Sequence, residues 1–131
     1  MTDGLKGINI LVVEDDDDTR DLLKVLLEGQ GASVTTTASV PEALTAYDQS
    51  RPNVIVADIG MPDNNGYTLI GRVRSLDRDK GKIVPAIALT AFTTAIDRDN
   101  VISAGFQVHV PKPFDPSRLI AVIADLAAKY A

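Results

Sequence analysis

The sequence predicts an α/β fold in which a parallel sheet is wound with helices on both faces. Short apolar runs rich in β-branched residues recur at regular intervals, and they are continuous rather than alternating. Continuous runs suit strands covered on both faces, as in a parallel sheet. Helical apolar stripes fall between the runs, so strand and helix alternate five times along the chain. That alternation, with right-handed crossovers, is the pattern of a doubly wound domain. At 131 residues the chain has the length of one domain, since domains commonly run to about 100–200 residues.

The first strand is expected over residues 8–13. Leu22, Leu23, Leu26 and Leu27 then form one helix face, which stops at Gly29 or Gly31, where glycine can turn left-handed. A weaker strand candidate spans residues 32–37. Ser39 with Glu42 forms a capping box that opens a second helix, with Val40, Ala43, Leu44 and Tyr47 as its apolar face. The third strand covers residues 54–57 and ends at Asp58. Leu69, Ile70, Val73 and Leu76 mark the third helix, and residues 86–89 the fourth strand. Residues 93–104 form the fourth helix, whose stripe of Ile96, Val101 and Ala104 is the least apolar. A strand over 106–110 precedes a last helix carrying Leu119, Ile120, Ile123 and Leu126. The expectation is one domain over residues 1–131, with its core at about 8–128, and no linker or solenoid repeat.

Composition removes several function classes. The chain has no Cys, which excludes disulfides, thiolate metal sites and cysteine nucleophiles. No apolar run approaches the roughly 18–20 residues that span a bilayer, and no signal-peptide pattern opens the chain, so no membrane association and a cytoplasmic location are expected. Eighteen acids against thirteen bases give a net charge of −5. Such a chain repels a phosphate backbone, which argues against direct nucleic-acid binding. Carboxylate chemistry is what remains.

In doubly wound sheets ligands sit beyond the carboxyl ends of the strands. The first strand runs into Glu14, Asp15, Asp16, Asp17 and Asp18. Asp16 to Asp18 suit the start of a helix, where acids cap free amides and complement the dipole. Glu14 and Asp15 follow the apolar run directly and emerge at the sheet edge. Asp58 ends the third strand, so three carboxylates converge if these strands are neighbours. Crowded carboxylates need a cation or raised pKa values. Oxygen ligands alone favour Mg²⁺, Mn²⁺ or Ca²⁺. The fourth strand ends at Thr90 and Ala91. The fifth leads to Lys112 between Pro111 and Pro113, where the residue before a proline is held extended. A Lys so aimed is expected to pair with a carboxylate or phosphoryl oxygen.

These residues, Leu11-Val12-Val13-Glu14-Asp15, Val56-Ala57-Asp58-Ile59-Gly60-Met61-Pro62 with Gly66, Leu89-Thr90-Ala91 and Lys112-Pro113-Phe114, resemble the receiver domain of bacterial two-component response regulators. The match runs from about Ile8 to the last helix. It implies a flavodoxin-like three-layer sandwich with five helices and strand order 2-1-3-4-5. It implies that Asp58 accepts a phosphoryl group from the phosphohistidine of a histidine kinase or phosphotransfer protein. Asp15, Asp58 and the Gly60 carbonyl would hold Mg²⁺ (Mn²⁺ is the other candidate), with Glu14 acting through a bound water. Lys112, the Thr90 hydroxyl and the Ala91 amide would bind the phosphoryl oxygens, and the Lys112–Pro113 bond would be cis. Thr90 and the residue at the switch position, His109 here where the family usually has an aromatic, would relay the change. The relay would end on a face of the fourth helix, fifth strand and fifth helix that output partners read.

The segment Phe106 to His109 lacks the acidic pair before an aromatic that is usual in transcription-factor receivers, and Gln107 to Lys112 is more similar to receivers fused to hybrid sensor kinases. A monomer or weak dimer is expected. The runner-up is a small phosphatase or phosphotransferase with an aspartyl nucleophile. Such hydrolases carry a second acid two residues after the nucleophile, and here that residue is Gly60. A third reading is an interaction scaffold that is never phosphorylated, against which stand Asp58, Thr90 and Lys112. The chain is therefore expected to act as a phosphoacceptor and not as an enzyme on outside substrates.

Overall fold

The computed structural model describes residues 4–59, 66–90 and 95–131, without the side chains of residues 95–98. Five strands and five helices alternate: β1 (Asn9–Val13), α1 (Asp17–Glu28), β2 (Ser33–Thr37), α2 (Val40–Ser50), β3 (Val54–Asp58), α3 (Gly66–Lys80), β4 (Ala86–Thr90), α4 (Ala95–Ala104), β5 (Val108–Pro111) and α5 (Pro116–Lys129). All strand pairs are parallel, and their order is β2-β1-β3-β4-β5. The chain reverses its winding direction at β1 and β3, so the crevice of the sheet opens between their carboxyl ends.

The strand period of two divides the core. Leu11, Val13, Ile55, Ala57, Ala86 and Ala88 face one way and pack with Val40, Ala43, Tyr47, Leu69, Ile70, Val73 and Val101 of α2, α3 and α4. Ile10, Val12, Val54, Val56, Ile87, Leu89 and Val110 face the other way, onto Leu23, Leu27, Leu119, Ile123 and Leu126 of α1 and α5. Both faces of the central strands are thus dry, which is why their sequences are unbroken apolar runs. Leu5, ahead of β1, is also fully buried in the second layer.

Some expectations change. Leu22 does not belong to the buried face of α1: it is 56% exposed and Val25 71%, because the helix seats only Leu23 and Leu27, with Leu26 at the margin. α1 ends with Gly29 in right-handed geometry, and the left-handed turn falls on Gly31, φ +95°. β5 begins at Val108 rather than residue 106, since the Phe106 amide donates to the Val101 carbonyl and so closes α4. The second helix opens as expected: the Ser39 hydroxyl accepts from the Glu42 amide (3.3 Å), and Glu42 Oε2 accepts from the Ala38 amide (3.0 Å). Residue 93, where the fourth helix was expected to start, and the Ile96 side chain lie outside the described residues.

Candidate phosphoacceptor site

β1 and β3 deliver their last residues side by side, with Val13 opposite Ala57. Asp58 belongs to the same strand face as Val54 and Val56, and Glu14 continues the face of Ile10 and Val12. One carboxylate oxygen each from Glu14, Asp15 and Asp58 lie within 4.8 Å of one another. Asp15 is exposed, Asp58 half-buried, and Glu14 is 0% exposed. The chain turns sharply here: the Glu14 amide donates to the Thr37 carbonyl (3.0 Å), and Arg20 Nη1 donates to the Glu14 carbonyl (3.0 Å).

Asp16 separates from this group as the N-cap of α1. Its Oδ2 accepts from the Thr19 amide (2.9 Å) and hydroxyl (2.6 Å), and these bonds hold its carboxyl below the usual range. Asp17 and Asp18 sit in the first turn, Asp17 paired with Arg20. The acidic run thus splits where helix geometry begins: two acids face the sheet edge and three serve the helix.

Lys112 closes the cluster from β5. Its amide donates to the Thr90 carbonyl (2.8 Å), and the Lys112–Pro113 bond is cis. The Lys112 Nζ donates to Glu14 Oε1 (2.7 Å) and to Asp58 Oδ2 (3.3 Å). One ammonium thus spans two of three carboxylates. Burial lowers the Lys112 pKa, but the hydrogen bond to Glu14 and the Asp58 charge outweigh it and leave it raised. Burial lifts Glu14 from 4.5 to about 7, opposed by the Lys112 hydrogen bond and reinforced by Asp58. The site therefore sets three carboxyl groups against one ammonium and holds a buried acid poised near neutrality. Oxygen donors in this number suit a hard divalent cation.

Thr90, the last residue of β4, is buried and shares the strand face of Ala86 and Ala88, which looks toward α2, α3 and α4. His109 is half-buried on β5 opposite Ala88, two pairs before Thr90 and Pro111, so Thr90 and His109 are neighbours on one face. Gly60 and Ala91, with Met61 and Pro62, lie outside the described residues. Gly66 is required where it stands: a Cβ there would lie 2.6 Å from Ile59 Cγ2 and 2.8 Å from Ile59 Cα, against the residue that follows Asp58.

Sequence reasoning missed a second polar cluster, at the opposite edge of the sheet, formed by Tyr47, Arg74, Asp77 and Gln107. A signal for it exists. Asp77 falls on the stripe of Leu69, Ile70 and Val73, where the helix period calls for an apolar residue.

Comparison with known proteins identifies the family and agrees with the fold. The family described as response regulator receiver domain matches residues 10–124. An uncharacterized 14.6 kDa protein of Leptolyngbya boryana is 45% identical over 119 residues, covering 91% of this chain and 89% of that protein. Hybrid signal transduction histidine kinase D of Dictyostelium discoideum is 34% identical over 134 residues, covering 96% of this chain but 8% of the kinase. The chain spans about half the length of the curated transcriptional regulators it matches. The solved receiver domain of the Francisella response regulator 1452 superposes with a TM-score of 0.87 at 25% identity, over 95% of this chain and all of that one. The histidine kinase and the response regulators among these relatives are signalling proteins, which disfavours the hydrolase alternative. The chain belongs to the response regulator receiver domains of two-component signalling.

Proposed function

We propose that residues 1–131 work as a phosphorylation switch in which Asp58 is the phosphoacceptor. The observation that carries this reading is the Lys112 ammonium lying between Glu14 and Asp58, within a cluster of three carboxylates at the sheet crevice. The Asp58 carboxylate oxygen forms a bond to phosphorus as the phosphorus–nitrogen bond of a phosphohistidine breaks, and the electron pair leaves on the imidazole nitrogen of the kinase or phosphotransfer protein. Transfer of this kind is chiefly positioning and charge neutralisation. Lys112 can release Asp58 to the incoming phosphoryl oxygens without losing Glu14, its shorter partner. Thr90 and Ala91 supply a hydroxyl and an amide to the remaining oxygens. Asp15, Asp58 and the Gly60 carbonyl are the ligands we assign to Mg²⁺, with Glu14 joined through water. A bound Mg²⁺ would neutralise carboxylate and phosphoryl charge together.

The switch then runs through Thr90 and His109, which share the strand face beneath α4. Output partners would read the α4–β5–α5 surface, and the resemblance of the 107–112 segment to hybrid kinases makes a kinase-fused parent one home for the domain. We place the domain in the cytoplasm, with the histidine kinase or phosphotransfer protein that would supply its phosphoryl group; among the described residues no helix is long and apolar enough to cross a membrane. Acetyl phosphate with Mg²⁺ tests the function. Labelling of the chain at one phosphoryl group per molecule supports it. Rapid catalytic release of phosphate would favour the hydrolase, and no reaction would favour the scaffold.

A further inference from the structure

The far edge of the sheet holds a side chain that does more than fill space. Arg74, on α3, donates to Asp77 Oδ2 (2.6 Å), to the Val84 carbonyl (2.7 Å), to Gln107 Oε1 (2.8 Å), and twice to the Gly105 carbonyl, from Nε (3.0 Å) and Nη2 (2.9 Å). Gln107 Oε1 also accepts from the Ala86 amide at the start of β4 (2.7 Å). Asp77 is 2% exposed and accepts from the Val84 amide (3.1 Å) and the Tyr47 hydroxyl. Gly105 has φ +125°, and a Cβ on it would sit 3.1 Å from Arg74 Cγ and 3.2 Å from Ile70 Cγ1. The turn between α4 and β5 is therefore pinned to α3 and to the start of β4.

α4 starts at the edge of Thr90 and Asp58 and ends at this pinned turn. Ten residues make a helix of about 15 Å, so its ends lie in different environments. Val101, near the pinned end, is its buried residue among the described side chains. We propose that Arg74 is a positioning residue of the switch, a clasp that fixes the C-terminal end of α4 so that the helix pivots about Gly105. This rests on the reading that a phosphoryl group on Asp58 is relayed through Thr90. A fixed far end converts a small pull relayed from Thr90 into a rotation of the whole helix, with displacement greatest at Ala95. The guanidinium suits the task because its planar fork serves several fixed acceptors at once, which a Lys ammonium cannot do.

Arg74→Lys keeps a cation for Asp77 and gives up the fork on Gly105. The test compares backbone amide chemical shifts of the wild-type chain and this variant, each with Mg²⁺ and with Mg²⁺ plus beryllofluoride. In the wild type the shift changes should decline along α4 from Ala95 and vanish at Gly105 to Val108. In the variant they should extend through Val108, and amide exchange at Gly105 to Val108 should be at least tenfold faster before any beryllofluoride is added. A uniform response from 95 to 108 in the wild type overturns the pivot. So does an unchanged response profile in the variant, which would leave Arg74 a structural residue only. Beryllofluoride binding (seen by fluorine resonance) with no shift in residues 86–111 overturns the relay and the pivot with it. Absence of binding overturns the Asp58 reading itself.

Discussion

Raising the pH should tighten Mg²⁺ binding about tenfold between pH 6 and pH 8, because the buried Glu14 must release its proton to solvent as the ion binds. Its carboxyl is fully buried, with one oxygen within 4.8 Å of Asp15 and Asp58 carboxylate oxygens, and burial pushes it up to about 7. A divalent cation that close favours the ionised form whether it touches Glu14 or is joined through water. The apparent dissociation constant then scales as 1 + 10^(pKa − pH), about elevenfold above its limit at pH 6 and about 1.1-fold at pH 8. Tenfold corresponds to about 1.4 kcal/mol. The sign for stability without metal is the reverse. Glu14 has a folded-state pKa above its usual 4.5, so its stabilising contribution is whole below 4.5 and is lost as pH rises through about 7. Mg²⁺ binds the folded state and offsets that loss most at high pH. Isothermal titration at pH 6 in two buffers of different ionisation enthalpy should count about 0.9 protons released per ion bound. Glu14→Gln should abolish both the proton release and the pH slope. A slope near zero in the wild type, or one that survives in Glu14→Gln, would refute the assignment of the titrating group.

Asp15→Asn should blunt the rise in melting temperature with Mg²⁺, while Asp17→Asn, whose carboxylate is 82% exposed and paired with Arg20, should leave it nearly unchanged; thermal melts with and without the ion decide this. Arg74→Met strands the buried Asp77 charge and should cost about 3–5 kcal/mol in urea unfolding. Asp17→Asn, which removes the exposed carboxylate of the other i,i+3 pair, should leave the midpoint close to wild type. Gly66→Ala forces a methyl into Ile59 and should cost about 1–3 kcal/mol, with a weakened Mg²⁺ response because Ile59 adjoins Asp58; melts and metal titration check both parts.

The elements legible in the sequence were those whose physics is local or periodic. Residues 10–13, 54–57 and 86–89 are buried on both sides, and an unbroken apolar run is the direct imprint of that. Ser39 and Asp16 announce helix starts because a cap acts within three residues of itself. Leu22 misled because apolar periodicity marks a face without saying how wide the partner is, and α1, lying along β1 and β2, buries only Leu23 and Leu27 with Leu26 at the margin. The acid–Lys cluster was legible since each member sits at a strand end, where the chain emerges at a predictable edge. Its electrostatics were not: that Lys112 chooses Glu14 at 2.7 Å over Asp58 at 3.3 Å depends on three-dimensional approach across 98 residues of sequence. Of the Arg74 cluster only the misplaced Asp77 was legible, since the acceptors on Gly105 and Gln107 lie 31 and 33 residues away in a turn with no periodic signature.

The claim on which the rest depends is that Asp58 is the atom-level phosphoacceptor. The wild-type chain and Asp58→Asn, each shown to be folded by circular dichroism, should be incubated with acetyl phosphate and Mg²⁺ and weighed intact by mass spectrometry. One base-labile phosphoryl group on the wild type, mapped to the peptide containing Asp58, and none on Asp58→Asn is the expected result. Phosphate retained on Asp58→Asn, or mapped to Asp15 or Glu14 in the wild type, would contradict it.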